Sequence, residues 1–170
     1  MKKGLFLIAV IFTTTFSIGQ TKTADQIKTI ATLLDNWHQA AAGAKFDDYF
    51  AVLSADSRYI GTDQTENWNL DQFKTFAKPY FDSGKAWNFK SIQRNIFLSN
   101  DGNLAWFDEL LDTQMKICRG SGVLRKEKNG KWKIVHYVLS MTIPNEKIDD
   151  AIKAKSAFDD SFIKELKTSK

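Results

Sequence analysis

The chain predicts an α+β fold, with helices gathered on one side of an antiparallel sheet. Three observations predict it. Apolar residues recur at helical spacing through the first half of the chain. Long segments with period-two alternation fill the second half. Between the last two of these lies Asn129-Gly130, a strong signal for a tight hairpin.

The elements follow in order. Ile27, Ile30, Leu34, Trp37 and Ala41 share one face of a helix from Thr23 to Ala42, with Thr23 able to cap it and Gly43 able to end it. Phe46, Tyr49, Phe50 and Leu53 mark a second, short helix from Phe46 to Leu53. Ser57 to Gly61 reads as a brief strand. Asn69-Leu70-Asp71 opens a third helix through Phe73, Phe76, Ala77 and Tyr80, with Pro79 near its end, where it does least damage. Ala86 to Leu98 and Leu104 to Met115 read as strands around an Asn100-Asp101-Gly102 turn. The final hairpin follows, and after Pro144 the spacing of Ile148, Ile152, Phe162 and Leu166 predicts a helical tail that docks on the domain.

A two-residue type I′ turn at Asn129-Gly130 sets the hairpin register. It pairs Glu127 with Trp132, Arg125 with Ile134, Val123 with His136, Ser121 with Val138 and Arg119 with Ser140, all on one face. The other face carries Leu124, Val135, Tyr137, Leu139 and Met141, opposite Gly120 and Gly122. In this register Cys118, the only cysteine, lies beside Met141 as a buried, inert thiol. Alternation in the preceding strand puts Trp106, Asp108 and Leu110 together. A one-residue bulge would exchange Asp108 for Glu109.

Residues 1–19 read as a signal peptide: Lys2 and Lys3, an apolar Leu5 to Ile11, and Ser17-Ile18-Gly19 before a cleavage at Gln20. The expectation is an exported protein, periplasmic or secreted, with no membrane span after processing. Residues 20–144 form one domain and residues 145–170 the tail. The formal charge of +4 falls to +2 without Lys2 and Lys3, and the remaining lysines alternate with acids, so nucleic-acid binding has no support. A single cysteine excludes an intrachain disulfide. His38 and His136 are the only histidines and show no metal-ligand spacing, so neither a metal nor another cofactor is expected.

Four segments carry a family resemblance: LLDNWHQAAAGAKFDDYFAVLS, YIGTDQTENW, AWFDELLD and RGSGVLRKEKNGKWKIVHYVLS. Together they resemble the nuclear transport factor 2-like superfamily, specifically its SnoaL-like branch, over roughly Thr23 to Pro144. The last segment also resembles the association domain of calcium/calmodulin-dependent kinases. The resemblance implies a sheet curled into a cone, helices closing its mouth, and a pocket on the concave face. Aligned with the kinase domain, the Val123 and His136 face is the concave one. The pocket arginines of that domain fall near Val123 and Asp108 and are absent here, so its ligand preference does not carry over. The steroid isomerase branch carries its base near Asp63 and Glu66.

The candidate site follows from that facing. His136, Asp108 and Asp63 are the candidate catalytic residues; Trp106, Arg119, Tyr59, Trp68 and Ser121 are the candidate ligand-binding residues. His136 reads either as a general acid or base or as a half-buried, hydrogen-bonded histidine. Asp108 with Arg119 reads either as an ordering ion pair or as a clamp for an anionic group. Asp63 suits a turn or helix cap as well as a base. Two functions remain open. One is binding of a small apolar or carbonyl-bearing ligand, with cofactor-free isomerase, dehydratase or cyclase chemistry. The other is a non-catalytic module that dimerises through the Leu124, Val135, Tyr137, Leu139 and Met141 face.

Overall fold

The structure, a computed structural model, describes the backbone of residues 7–169 and the side chains of residues 23–169. Residues 1–6 of the expected leader lie outside the described residues, and residues 7–19 are described only as helical backbone.

The elements are α1 (Leu7–Ala42), α2 (Phe46–Ala51), β1 (Leu53–Ile60), β2 (Asn67–Asn69), α3 (Leu70–Asp82), β3 (Lys90–Leu98), β4 (Leu104–Thr113), β5 (Lys116–Lys126), β6 (Trp132–Met141) and α4 (Ile148–Thr168). Six strands form one sheet in the order β2-β1-β6-β5-β4-β3. β1 runs parallel to β6, while β1–β2, β3–β4 and β4–β5 are antiparallel. The α+β expectation holds. No helix among the described residues is long and apolar enough to cross a membrane.

Local chemistry explains most of the boundaries. Asn69 caps α3 as the sequence predicts: its Oδ1 accepts from Gln72 N at 2.9 Å, and Gln72 Oε1 accepts from Asn69 N at 3.0 Å. α2 stops at Ala51, short of the expected Leu53. The chain there turns into β1, anchored where Ile134 N donates to Val52 O at 3.0 Å. β3 begins at Lys90 rather than Ala86, and the short edge strand β2 lacked any sequence signal beyond Trp68. Met141–Lys170 forms a compact unit of its own. It contains one 3-10 turn, Asn145–Lys147, and α4, in which no residue is buried.

The final hairpin departs from the expected turn. Glu127 N donates to Lys131 O and Gly130 N to Glu127 O, both at 2.8 Å. Only Gly130 has a positive φ there (+81°), so Asn129 is not in the left-handed region a type I′ turn requires. The loop is three residues long with a glycine bulge, and Glu127 meets Lys131 instead of Trp132. A one-residue slip sends a side chain to the opposite face. Trp132 and Ile134 are accordingly buried with Leu124 rather than grouped with Arg125 and Val123. The alternation then breaks at Val135-His136, both half-buried, and Tyr137 and Leu139 return to the buried face.

The concave face is therefore not the one expected. Ala105, Phe107, Glu109 and Leu111 of β4, Cys118 and Leu124 of β5, and Tyr137 and Leu139 of β6 are all buried. Helices α1, α2 and α3 cover that face because it is the more apolar one, and its burial drives folding. Trp106, Asp108, Arg119, Ser121 and His136 stand on the outer face. The proposed dimer surface falls with this correction, since Leu124, Tyr137 and Leu139 are core.

Two glycines allow the sheet to pack so closely. A Cβ on Gly122 would lie 2.7 Å from Phe107 Cε1. One on Gly120 would lie 3.0 Å from Glu109 Cγ and closer still to the Tyr137 hydroxyl. The strand needs glycine at both places, because any side chain there would meet its packed neighbours.

Candidate functional site at the α1, β3 and β4 junction

The aromatic core encloses one charged cluster. His38 sits four residues after Leu34 on the buried stripe of α1 and is 4% exposed. Glu109 sits between Phe107 and Leu111 on the inward side of β4 and has no exposed area. Arg94 of β3 is the cross-strand partner of Glu109. His38 Nε2 lies 2.8 Å from Glu109 Oε1, and Arg94 Nε donates to Glu109 Oε2 at 2.9 Å. Arg94 Nη1 donates to Asp35 Oδ1 at 2.7 Å and to Ala31 O at 3.2 Å on α1. The Tyr137 hydroxyl approaches Glu109 Oε1 at 3.5 Å. Three elements are thus joined through one carboxylate.

Electrostatics fix the state of that carboxylate. Burial alone would raise its pKa. A hydrogen bond from His38 Nε2, together with the charge and hydrogen bond of Arg94, works against burial and holds it below the ordinary glutamate value. Glu109 is therefore an acceptor only, and His38 Nε2 must carry the proton between them. Nδ1 has no hydrogen-bond partner among the described residues. Burial raises the pKa of Tyr137, and the nearby Glu109 charge raises it further, so its hydroxyl stays protonated.

A pocket of about 270 Å³ opens between α1 and the start of β3, lined by Asp35, His38, Gln39, Ala42, Asn88, Phe89, Lys90 and Ser91. It is slightly smaller than the ~300–1,000 Å³ typical of drug-sized sites. Farther into the core, Tyr59 stacks on Phe73 at 3.9 Å and Trp37 on Tyr49 at 5.1 Å. Tyr49, Phe73 and Tyr137 are each at most 1% exposed.

The residues expected at the site fall in several places. Asp108 accepts from Asn95 Nδ2 at 3.1 Å and faces Ser121 across the sheet. Arg119 is exposed opposite Leu110, and no ion pair joins it to Asp108 among the described residues. Trp106 is 47% exposed and stacks on Phe97 at 5.8 Å. His136 is half-buried beside Arg58 of β1. These residues do share one face, as alternation required, but it is the face away from the helices. Tyr59 is core, and Trp68 stacks on Phe76 at 4.3 Å. Asp63 is exposed and accepts from Thr65 N at 2.9 Å and Thr65 Oγ1 at 2.6 Å, the turn role its residue type favours.

Sequence reasoning missed His38 and Arg94 as site residues and admitted Glu109 only as the alternative to Asp108. The signal was present for two of them. His38 continues the Ile30, Leu34 and Ala41 stripe, and Glu109 is the one charge in the Ala105, Phe107 and Leu111 series. Arg94 carried no such signal. Among the described residues no group of three or more His, Cys, Asp or Glu side chains is arranged to hold a metal ion.

The elements and their order define a class before any relative is considered: an α+β domain whose helices α1, α2 and α3 pack on one face of an open, mostly antiparallel sheet. A family model described as the SnoaL-like domain matches residues 30–144, and the chain belongs to that family. No curated protein matches it. Among solved structures, the fold is similar to an NTF2-like protein of unknown function from Pseudomonas putida KT2440, with 18% identity, 74% of this chain and 92% of that chain covered, and a TM-score of 0.60. It is also similar to a protein from Parabacteroides distasonis provisionally named a ketosteroid isomerase (21% identity, 68% and 86% covered, TM-score 0.54). A third likeness is to a protein from Streptomyces avermitilis provisionally named a dehydratase of the NTF2-like family (10% identity, 72% and 99% covered, TM-score 0.61). At these identities the likeness is one of fold.

Proposed function

We propose that the protein is exported and binds a small, carbonyl-bearing ligand in the pocket between α1 and β3, where His38 moves a proton without a cofactor. The observation that carries this reading is the 2.8 Å contact between His38 and a buried, ionised Glu109. Glu109 holds Nε2–H, so Nδ1 is the nitrogen left to take or give a proton. Gln39, Asn88 and Ser91 line the same pocket and can donate to a carbonyl oxygen; Phe89 and Ala42 supply apolar wall. Acid–base chemistry of the isomerase or dehydratase type suits this set, and two of the fold relatives bear such names.

Nuclear magnetic resonance with a simple cyclic ketone tests the reading. Shift changes are expected at residues 35–42 and 88–91, and they should vanish in His38→Gln, which can still donate to Glu109. Changes confined to other residues would refute it. Export is tested by the intact mass of protein from the cell envelope, which should lack residues 1–19.

A second reading, association of two copies, has its own observation. Phe97 and Trp106 are each 47% exposed on the outer sheet face, with Val123 opposite Trp106. Single copies seldom leave stacked aromatics bare. Light scattering distinguishes a dimer from a monomer, and neither result affects the α1–β3 pocket.

A further inference from the structure

We infer that Arg94 is a positioning residue: through Glu109 it fixes which nitrogen of His38 carries the proton. This rests on the reading of His38 given above, but its test needs no ligand and no turnover. The guanidinium is nine-tenths buried and spans three elements. Nε holds Glu109 Oε2 at 2.9 Å, while Nη1 is tied to Asp35 Oδ1 at 2.7 Å and to Ala31 O. Because Arg94 occupies Oε2, the other oxygen, Oε1, is the one that meets His38.

The charge matters as much as the geometry. A carboxylate with no exposed area does not stay ionised without a partner. A neutral Glu109 would carry a proton of its own, and the carboxyl could then donate to Nε2. That would reverse the hydrogen bond and move the imidazole proton to Nδ1, the nitrogen proposed to act. Arginine suits this place because its fixed fork reaches two acceptors at once and never loses its proton. Asp35, more than half exposed and lining the pocket, anchors the outer end of the fork. The groups around His38 are then Asp35 on its own helix, Lys90 and Arg94 on β3, Glu109 on β4 and Tyr137 on β6.

The tautomer can be read directly from imidazole nitrogen shifts. Only two histidines are present, so the spectra of ¹⁵N-labelled protein are simple to assign with His136→Gln as a reference. Wild type should show His38 as one tautomer, Nε2–H. Arg94→Gln should lose that single tautomer and show an averaged mixture or Nδ1–H. A folded Arg94→Gln that keeps pure Nε2–H would overturn the inference. If Arg94→Gln does not fold, Arg94→Lys combined with Asp35→Asn decides. That lysine has no competing Asp35 carboxylate, so it should hold Glu109 ionised and keep Nε2–H; a mixed tautomer there would also overturn it. Binding of a ketone plays no part in these outcomes, so the pocket reading and the Arg94 inference can fail separately.

Discussion

Replacing Glu109 by Gln tests the charged cluster most directly. Gln preserves shape and one acceptor oxygen but removes the charge. Arg94, nine-tenths buried, and His38, 4% exposed, then face a neutral group. Removing one partner of a buried ion pair costs about 3–5 kcal/mol, because the other charge stays buried. The remaining amide oxygen places Glu109→Gln near the lower end, about 3 kcal/mol. With a urea slope of about 1.5 kcal/mol per molar, the midpoint at pH 7 should fall by about 2 M. The pH dependence has a defined sign. The Glu109 pKa is depressed in the folded chain, so its contribution is complete above the unfolded glutamate value of about 4.3 and is lost as pH falls through the folded value. The gap between wild type and variant should therefore be widest above pH ~5 and narrow on acidification. A midpoint shift under about 0.5 M at pH 7, or a gap unchanged at pH 3, would refute the reasoning.

Gly122→Ala should destabilise by about 1–3 kcal/mol in thermal or urea melts, since the new methyl meets the Phe107 ring inside a packed sheet. A variant as stable as wild type would show that β5 and Phe107 can yield at no cost. Hydrogen exchange should find α4 far less protected than β4 and β5, because none of its 21 residues is buried. Protection equal to that of the strands would show a packing partner for α4.

How much of this was legible depended on where a single residue could change the answer. The α1 stripe, the α3 cap and the alternation of β4 and β5 are local patterns, and they held. The hairpin failed on one dihedral: Asn-Gly serves both a two-residue turn and a three-residue loop with Gly130 bulged, and only the second occurs. The break at Val135-His136 then undid half of that slip. Alternation correctly grouped Trp106 with Asp108, and His136 with Arg119, but grouping does not say which group the helices cover. Counting apolar side chains would have decided it, because Ala105, Phe107 and Leu111 outweigh Trp106 and Leu110 once Cys118, Leu124 and Tyr137 are added. His38 and Glu109 come together only when α1 lies across β4, a contact between residues 71 positions apart that no local pattern encodes.

Stability does not explain why this core holds charges. Tyr59, Phe73, Trp37 and Tyr49 already fill the interior with stacked rings. Glu109 lies between Phe107 and Leu111, where an apolar side chain would continue the pattern. Exchanging a buried ion cluster for apolar residues of similar volume is often neutral or stabilising. A fold selected for stability alone has no need of Glu109, Arg94 and His38 together. The cluster also lies where the core meets the surface: His38 and Asp35, at its two ends, both line the α1–β3 pocket. The aromatic layer behind it excludes water and strengthens each charge interaction within it. That placement, with Glu109 and Arg94 buried and both His38 and Asp35 lining one pocket, is what favours the proposed proton-handling role over a purely structural ion cluster.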